Sequence, residues 1–147
     1  MVEPGRRTTA KILCVSGARP NFVKIAPVMR ALTDAGFDAR LVHTGQHYDR
    51  ILSESFLEQL EIPAPITNLK VGSGSHVQQI SRVMQRLEPV LEAERPRAVV
   101  VAGDVNSTLA AALTAEKMGF PVAHVEAGLR DRKSTRLNSS HTVISYA

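Results

Sequence analysis

The segment Ala98–Ala102, with the sequence AVVVA, restricts the possible folds of this chain more than any other feature. It contains no polar residue, and it lies between Pro96 and Gly103, which are typical boundaries of a strand. A strand that is apolar on both faces needs cover on both sides, as the inner strands of parallel sheets have. The segment therefore predicts an α/β protein with helices on both faces of a buried sheet.

Shorter apolar runs alternate with segments of helical periodicity along the rest of the chain. The other predicted strands are residues 11–16, 39–44, 66–71 and 122–125. Helices are predicted over residues 21–35, 48–60 and 76–95, and from Asn106 or Ser107 to Met118. The predicted apolar side of the third helix consists of Val77, Ile80, Val83, Met84, Leu87, Val90 and Leu91. This alternation predicts a doubly wound parallel sheet of the Rossmann type.

The size and composition of the chain fit one such domain. Its 147 residues are 44% hydrophobic, which is enough for one compact core and too few for two full domains. The single cysteine, Cys14, rules out an internal disulfide, and we interpret it as a buried hydrophobic residue. His43 and His47 have no third ligand at a suitable spacing, so no metal is expected.

Charge and hydropathy argue against two classes of partner. The net charge is +4, but without residues 131–147 there are 15 basic and 13 acidic residues, which leaves +2. This balance does not predict a basic face for nucleic acid. The sequence has no apolar run long enough to span a membrane, and Ile12–Val15 is too short for the core of a signal peptide. We therefore expect a cytoplasmic protein without membrane contact.

The two ends of the chain differ from the region between them. Residues 1–10 lack apolar periodicity and are expected to be a flexible leader, followed by one domain over residues 11–130. Residues 131–141 match the one-frame translation of a common short-read sequencing adapter, and residues 144–147 resemble its continuation. An ordinary polar loop and strand is the alternative. We interpret residues 131–147 as a non-native tail and leave them out of the site.

Polar residues follow several predicted strands at their carboxyl ends, where open parallel sheets bind ligands. Arg19 precedes a helix start that favours anions, so it is either a diphosphate or sugar ligand or an exposed cap residue. Lys24, in the first turns of the same helix, either joins Arg19 or is a solvated cation. His47 follows a glycine turn and is the better candidate for a sugar or proton partner. His43 is expected to be structural.

Two carboxylates follow the last two predicted strands. Asp104 is either a catalytic acid or base or a helix cap, and its spacing alone slightly favours the cap. Glu126 follows His124 by two residues, and strand alternation predicts both side chains on one face. An ionised carboxylate after an apolar strand needs a partner. Together with Arg19, the two carboxylates form a candidate acid/base site.

Motifs for common phosphate-containing cofactors are absent from the sequence. The first strand is not followed by Gly-x-Gly-x-x-Gly, and the chain has no Gly-Lys-Ser/Thr phosphate loop. We therefore expect no dinucleotide cofactor bound in the usual manner.

Four ordered motifs resemble those of the non-hydrolysing UDP-N-acetylglucosamine 2-epimerases, a family with the two-domain architecture of glycosyltransferase-B enzymes. The motifs are GARPNFVKIAP (17–27), TGQH (44–47), GDVNST (103–108) and HVEAGLR (124–130). Each motif is weak alone, but the four in this order are specific, and the resemblance covers residues 11–130. It implies that the domain is the amino-terminal, Rossmann-like half of such an enzyme.

The same resemblance implies a reaction. The family converts UDP-N-acetylglucosamine (UDP-GlcNAc) to UDP-N-acetylmannosamine (UDP-ManNAc) by eliminating UDP and adding it back after the C2 proton returns on the opposite face. Neither a nicotinamide nor a metal takes part. The resemblance makes Asp104 and Glu126 the acid/base pair, which moves Asp104 from helix cap to catalytic residue. It makes Arg19, Lys24 and His47 ligands of the UDP-sugar, and it implies a homodimer for the full-length protein.

The resemblance ends at Arg130. The family pattern continues with another acidic motif and with a second domain that holds the nucleotide and a further histidine. Neither is present here, so we expect the chain to be inactive alone. A nucleotide-sugar glycosyltransferase domain of the same architecture is the nearest alternative, although the four motifs disfavour it. The other alternative is a non-catalytic fragment that binds a nucleotide sugar.

Overall fold

The computed structural model describes residues 9–46 and 50–127. His47, most of the predicted leader and the predicted tail lie outside the described residues. The elements are β1 (Lys11–Ser16), α1 (Arg19–Asp34), β2 (Asp38–His43), α2 (Arg50–Gln59), β3 (Thr67–Asn68), α3 (His76–Glu94), β4 (Ala98–Ala102), α4 (Asn106–Lys117) and β5 (Val122–Val125). All five predicted strands and all four predicted helices are present, so the predicted alternation is confirmed.

The five strands form one parallel sheet with the order β3-β2-β1-β4-β5. The chain winds outward from β1 to β3 on one side, then crosses back to β4 and continues to β5 on the other. The direction of winding therefore reverses between β1 and β4. In doubly wound sheets, ligands bind outside the carboxyl ends of the strands at such a reversal. The topology directs attention to the residues that follow β1 and β4.

Each face of the sheet is covered by two helices, as the sequence of β4 predicts. Val99 and Val101 belong to a core that α3 and α4 complete, whereas Val100 and Ala102 belong to a second core with α1 and α2. Cys14 lies in this second core, and burial raises the pKa of its thiol to about 12. It therefore acts as an unreactive hydrophobic side chain, because the thiolate is the reactive form.

Two local predictions are wrong. Val77 does not belong to the apolar face of α3, because its side chain is 73% exposed. The buried stripe of α3 runs through Gln79, Val83, Leu87 and Leu91. Val77 is the second residue of α3, in the first turn of the helix, and lies roughly 120° around the helix from the fully buried Val83. The third strand is shorter than residues 66–71, because Lys70 adopts a φ of 51° that turns the chain out of the extended conformation.

No helix in the described part of the chain is long and apolar enough to cross a membrane.

Candidate functional site

The end of β1 passes unusually close to two neighbouring segments. A Cβ atom on Gly17 would lie 1.9 Å from Thr44 Oγ1 and 2.6 Å from Ser107 Oγ, so glycine is required here on steric grounds. α1 begins two residues later at Arg19, which is exposed. The Arg19 Cζ atom lies 4.6 Å from the centroid of the Phe56 ring, a cation–π contact that orders the side chain beside the helix start.

Lys24 and Glu126 form an ion pair across the carboxyl edge of the sheet. The Lys24 Nζ atom lies 2.5 Å from Glu126 Oε2, and both side chains are about one-third exposed. β5 ends at Val125, and Glu126 adopts a left-handed φ of 67°. The alternation that predicted a common face for His124 and Glu126 therefore does not extend to Glu126. His124 is buried, with Nε2 2.6 Å from the carbonyl oxygen of Gly103, and this bond ties β5 to the end of β4.

Asp104 follows β4 and is exposed at the same edge. The N-cap residue of α4 is Val105, and the cap has no side-chain hydrogen bond, so the alternative role of Asp104 as a helix cap is wrong. Gly103 has a φ of 76°, and a Cβ atom on it would lie 2.8 Å from Asn21 Oδ1. The close approach of Gly103 to Asn21 places Asp104 beside the first turns of α1.

His43 is structural, as predicted. It is the last residue of β2, it is buried, and its Nδ1 atom accepts a hydrogen bond of 2.7 Å from the Gly45 N–H. Its ring lies 5.1 Å from the Phe22 ring, and burial lowers its pKa. His47, the other histidine of this segment, lies outside the described residues.

Four of the five predicted site residues therefore follow the carboxyl ends of β1, β4 and β5. Lys24 and Glu126 are in direct contact, Arg19 is the first residue of the helix that contains Lys24, and Asp104 follows β4, the strand paired with β5. In the described ranges, no three His, Cys, Asp or Glu side chains are grouped as metal ligands would be. The charged groups at this edge are suited to bind an anion and to move protons beside it.

A set of uncharged polar residues at the same edge was not predicted from the sequence. Thr44, Gln46, Gln79 and Ser107 are buried and hydrogen-bonded to one another in a chain. One signal for this set was available, because Gln79 lies one helical turn before Val83 on the side of α3 that packs inward. A glutamine at such a position indicates a buried polar contact.

The family model for UDP-N-acetylglucosamine 2-epimerase matches residues 30–137 of this chain, more than half of its length. The chain belongs to the UDP-N-acetylglucosamine 2-epimerase family. The match ends seven residues past the predicted boundary at residue 130, so it overlaps the first part of the predicted non-native tail. The foreign origin of that tail stays a prediction.

Relatives of this epimerase family member are similar along most of the described chain. A UDP-N-acetylglucosamine 2-epimerase homolog of Methanococcus maripaludis is 47% identical over 125 residues, which is 84% of this chain and 35% of the relative. The UDP-2,3-diacetamido-2,3-dideoxy-D-glucuronate 2-epimerase of Pseudomonas aeruginosa is 47% identical over 121 residues, 82% of this chain and 34% of the relative. The chain thus spans about a third of the length of these relatives.

A solved structure supports the fold assignment. The crystal structure of the Methanocaldococcus jannaschii UDP-GlcNAc 2-epimerase in complex with UDP-GlcNAc and UDP matches with a TM-score of 0.77 and 44% sequence identity. The match covers 82% of this chain and 33% of that chain. The predicted fold class is confirmed: an epimerase-type Rossmann-like domain that forms part of a glycosyltransferase-B-like architecture.

Proposed function

We propose that this chain supplies the sugar-side domain of an enzyme that interconverts UDP-GlcNAc and UDP-ManNAc. The observation that carries the proposal is the placement of two carboxylates, Asp104 and Glu126, after the paired parallel strands β4 and β5. Two cations of α1, Arg19 and Lys24, lie at the same edge. Family membership and the solved complex of a relative with UDP-GlcNAc and UDP support this choice of substrate.

The proposed reaction removes the C2 proton of the sugar and breaks the bond between C1 and the UDP oxygen. The electrons of the C2–H bond form a C1=C2 double bond, and those of the C1–O bond leave with UDP. The reverse steps then deliver a proton to the opposite face of C2 and form the bond between C1 and the UDP oxygen again. A proton acceptor and a proton donor on different strand tips suit this exchange, because each can address one face of C2. The proposed reaction involves no net oxidation or reduction, so it needs no nicotinamide cofactor.

Arg19 and Lys24 have different proposed roles. Arg19 has a fixed positive charge at the start of α1, where the backbone N–H groups also favour anions, and it is the proposed ligand of the departing diphosphate. Lys24 contacts Glu126, so it orients that carboxylate in addition to any contact with the sugar nucleotide. His47, which follows β2 by four residues in the sequence, is the proposed contact to the sugar.

A second candidate substrate is UDP-2,3-diacetamido-2,3-dideoxy-D-glucuronate. The specific observation is the Pseudomonas aeruginosa relative named for it, which is 47% identical to this chain. Both candidates are UDP-linked 2-acetamido sugars inverted at C2, so the same acid/base pair serves either. The two differ at C3 and C6 of the sugar, and a direct competition of both substrates for one enzyme separates them.

A hybrid enzyme tests the proposed function. In this hybrid, residues 11–127 of the chain replace the equivalent segment of the Methanocaldococcus jannaschii relative, to which the chain is 44% identical. We expect the hybrid to convert UDP-GlcNAc to UDP-ManNAc without added nicotinamide, as followed by NMR. A folded hybrid that binds UDP but inverts neither candidate sugar contradicts the proposal. A cytoplasmic location is a further proposal from the hydropathy of the sequence, and a homodimeric full-length protein is a further proposal from the family resemblance.

A further inference from the structure

A chain of side-chain hydrogen bonds joins three segments at the carboxyl edge of the sheet. Thr44 Oγ1 and Ser107 Oγ are 2.8 Å apart, and Ser107 donates to Gln46 Oε1 at 2.8 Å. Gln46 Nε2 donates to Gln79 Oε1 at 3.0 Å. These hydrogen bonds thus connect residues 44–46, which follow β2 and are called the β2 tip here, with the start of α4 and with α3. We call these residues, together with Asn106, the amide relay.

Asn106 closes the amide relay from the other side. Its Nδ2 atom donates to Gln79 Oε1 at 2.8 Å and lies 2.8 Å from His76 Nδ1. Gln79 therefore accepts two hydrogen bonds at one oxygen, and its Nε2 atom donates to the Gly72 carbonyl at 3.3 Å. Gln79 therefore contacts Gln46 after β2, Asn106 at the start of α4 and the loop before α3.

The donors and acceptors of the relay are all fixed by one another. Ser107 has a single hydroxyl proton, which it donates to Gln46, so Thr44 must donate to Ser107. An amide nitrogen only donates, so His76 Nδ1 must accept from Asn106 and the His76 ring carries its proton on Nε2. A network with one consistent arrangement holds its members rigidly.

The ends of the relay lie next to proposed catalytic and binding residues. Gln46 directly precedes His47, and Asn106 follows Asp104 by two residues. We propose that Gln79 is a positioning residue for the epimerisation: through Gln46 and Asn106 it holds the β2 tip and the β4 tip at a fixed separation. This inference rests on the proposed function. The contacts that carry it do not involve Arg19, Lys24 or Glu126.

Spectroscopy of the full 147-residue chain tests the relay independently of any activity. We compare Gln79→Met, which removes the amide, with Gln85→Met, the same change at an exposed position of α3. Gln79→Met is expected to shift the backbone amide signals of both Gly45 and Asp104, and Gln85→Met neither. Ser107→Ala is a milder variant that removes one link of the relay, and it replaces Gln79→Met in the comparison if Gln79→Met does not fold. It is expected to shift the same signals.

The tautomer of His76 gives a second readout. In the unchanged chain, nitrogen NMR is expected to show the His76 proton on Nε2. Gln79→Met is expected to weaken this preference, because the Asn106 amide is then no longer held by its hydrogen bond to Gln79 Oε1. A proton on Nδ1 in the unchanged chain overturns the relay, as does a Gln79→Met variant that leaves Gly45 and Asp104 unshifted.

Kinetics of the hybrid enzyme decide whether the relay positions the reacting groups. Gln79→Met is expected to lower kcat about tenfold while KM changes by less than about twofold, because small misplacements of reacting groups slow catalysis. The assay is run at a temperature where all variants are folded. Unchanged kcat with a lowered unfolding midpoint indicates a structural role only and overturns the proposal. If the hybrid without substitutions folds and binds UDP but inverts neither candidate sugar, the proposed function fails, and the NMR comparison still decides whether the relay exists.

Discussion

Two buried serines at the carboxyl edge show how the same residue type can be satisfied or unsatisfied. Ser16 and Ser107 are 1% and 2% exposed, respectively. Ser107 Oγ has hydrogen bonds to Thr44 and Gln46, whereas Ser16 Oγ has no hydrogen-bond partner among the described residues. A buried hydroxyl without a partner destabilises the fold by roughly 1–3 kcal/mol, since water is lost without replacement.

Replacing each serine by alanine is therefore expected to have opposite effects. Ser16→Ala leaves the free energy of unfolding unchanged or raises it by about 1 kcal/mol, because it removes an unsatisfied group. Ser107→Ala lowers it by about 1–3 kcal/mol, because Gln46 Oε1 loses its donor inside the protein. Urea denaturation of both variants measures the difference. An equal loss in both variants contradicts the assignment of Ser16 as unsatisfied.

Burial of His43 makes the stability of the chain depend on pH. Burial lowers the pKa of His43 in the folded state, whereas the unfolded chain takes up a proton near pH 6.5. The contribution of His43 to the free energy of unfolding is therefore complete above about pH 7. It is lost as the pH falls, by at most about 1.4 kcal/mol per pH unit.

Urea denaturation at pH 7.5, 6.5 and 5.5 measures this dependence. These pH values extend about one unit to either side of the histidine pKa in the unfolded chain. The comparison variant is His43→Asn, whose amide oxygen can accept the Gly45 N–H in place of His43 Nδ1. The free energy of unfolding is expected to fall more steeply with decreasing pH in the unchanged chain. Equal slopes would show that other histidines cause the dependence.

At the scale of elements, α3 illustrates what local sequence determines. Ser75 is its N-cap and forms a capping box: Gln78 N–H donates to Ser75 Oγ, and Gln78 Oε1 accepts from Ser75 N–H. Such a box gives hydrogen-bond acceptors to two backbone N–H groups, those of Ser75 and Gln78, that have no acceptor within the helix.

Ser75→Ala is expected to lower the free energy of unfolding by about 1 kcal/mol, a typical cost for an N-cap serine. Ser81→Ala is the matched control, because Ser81 is exposed within the same helix and its replacement is expected to change stability by less than about 0.5 kcal/mol. Thermal unfolding of the two variants measures the difference. Equal midpoints for both would mean that the cap does not stabilise the folded chain.

The elements that sequence predicted well are those whose pattern is local. The apolar runs of β1 and β4 fixed their bounds, because a run that is buried on both faces fits only an inner strand of a covered sheet. The bounds of β5 were also predicted correctly, although Ala123 in that strand is exposed. The end of β3 was not predictable in this way. Lys70 turns there because its N–H bonds to Asn68 Oδ1 and the next residues bond to Thr44 and Gly45, contacts that depend on the β2 tip.

The candidate site was predictable in position but not in contact. The sequence predicts that Arg19, Asp104 and Glu126 each follow a strand. Because the carboxyl ends of parallel strands share one edge of the sheet, the three residues were expected at the same edge. The Lys24–Glu126 pair was not predictable, because it depends on the left-handed φ of Glu126. The amide relay depends on the rotation of α3 against α4, which tertiary packing decides.

At the scale of the whole molecule, the described domain presents its charged edge at the surface. Asp104 and Arg19 are exposed, and the chain covers about a third of the relatives it matches. Proton exchange at a sugar carbon needs reacting groups held together where water is excluded. The chain alone is therefore expected to produce no UDP-ManNAc from UDP-GlcNAc, whereas the hybrid enzyme does. Turnover by the isolated chain would show that the exposed edge needs no further cover to exclude water.

Asp104 and Glu126 are proposed to exchange the C2 proton of a UDP-linked sugar. Proton NMR of UDP-GlcNAc in heavy water with the hybrid enzyme tests this proposal directly, because deuterium at C2 reports each exchange event. We expect deuterium to appear at C2 of both sugars. We expect Asp104→Asn and Glu126→Gln each to slow exchange and epimerisation by about 10²–10⁴-fold, while stability falls by less than about 1 kcal/mol. Exchange and epimerisation at full rate by both variants would contradict the assignment of Asp104 and Glu126 as the acid/base pair.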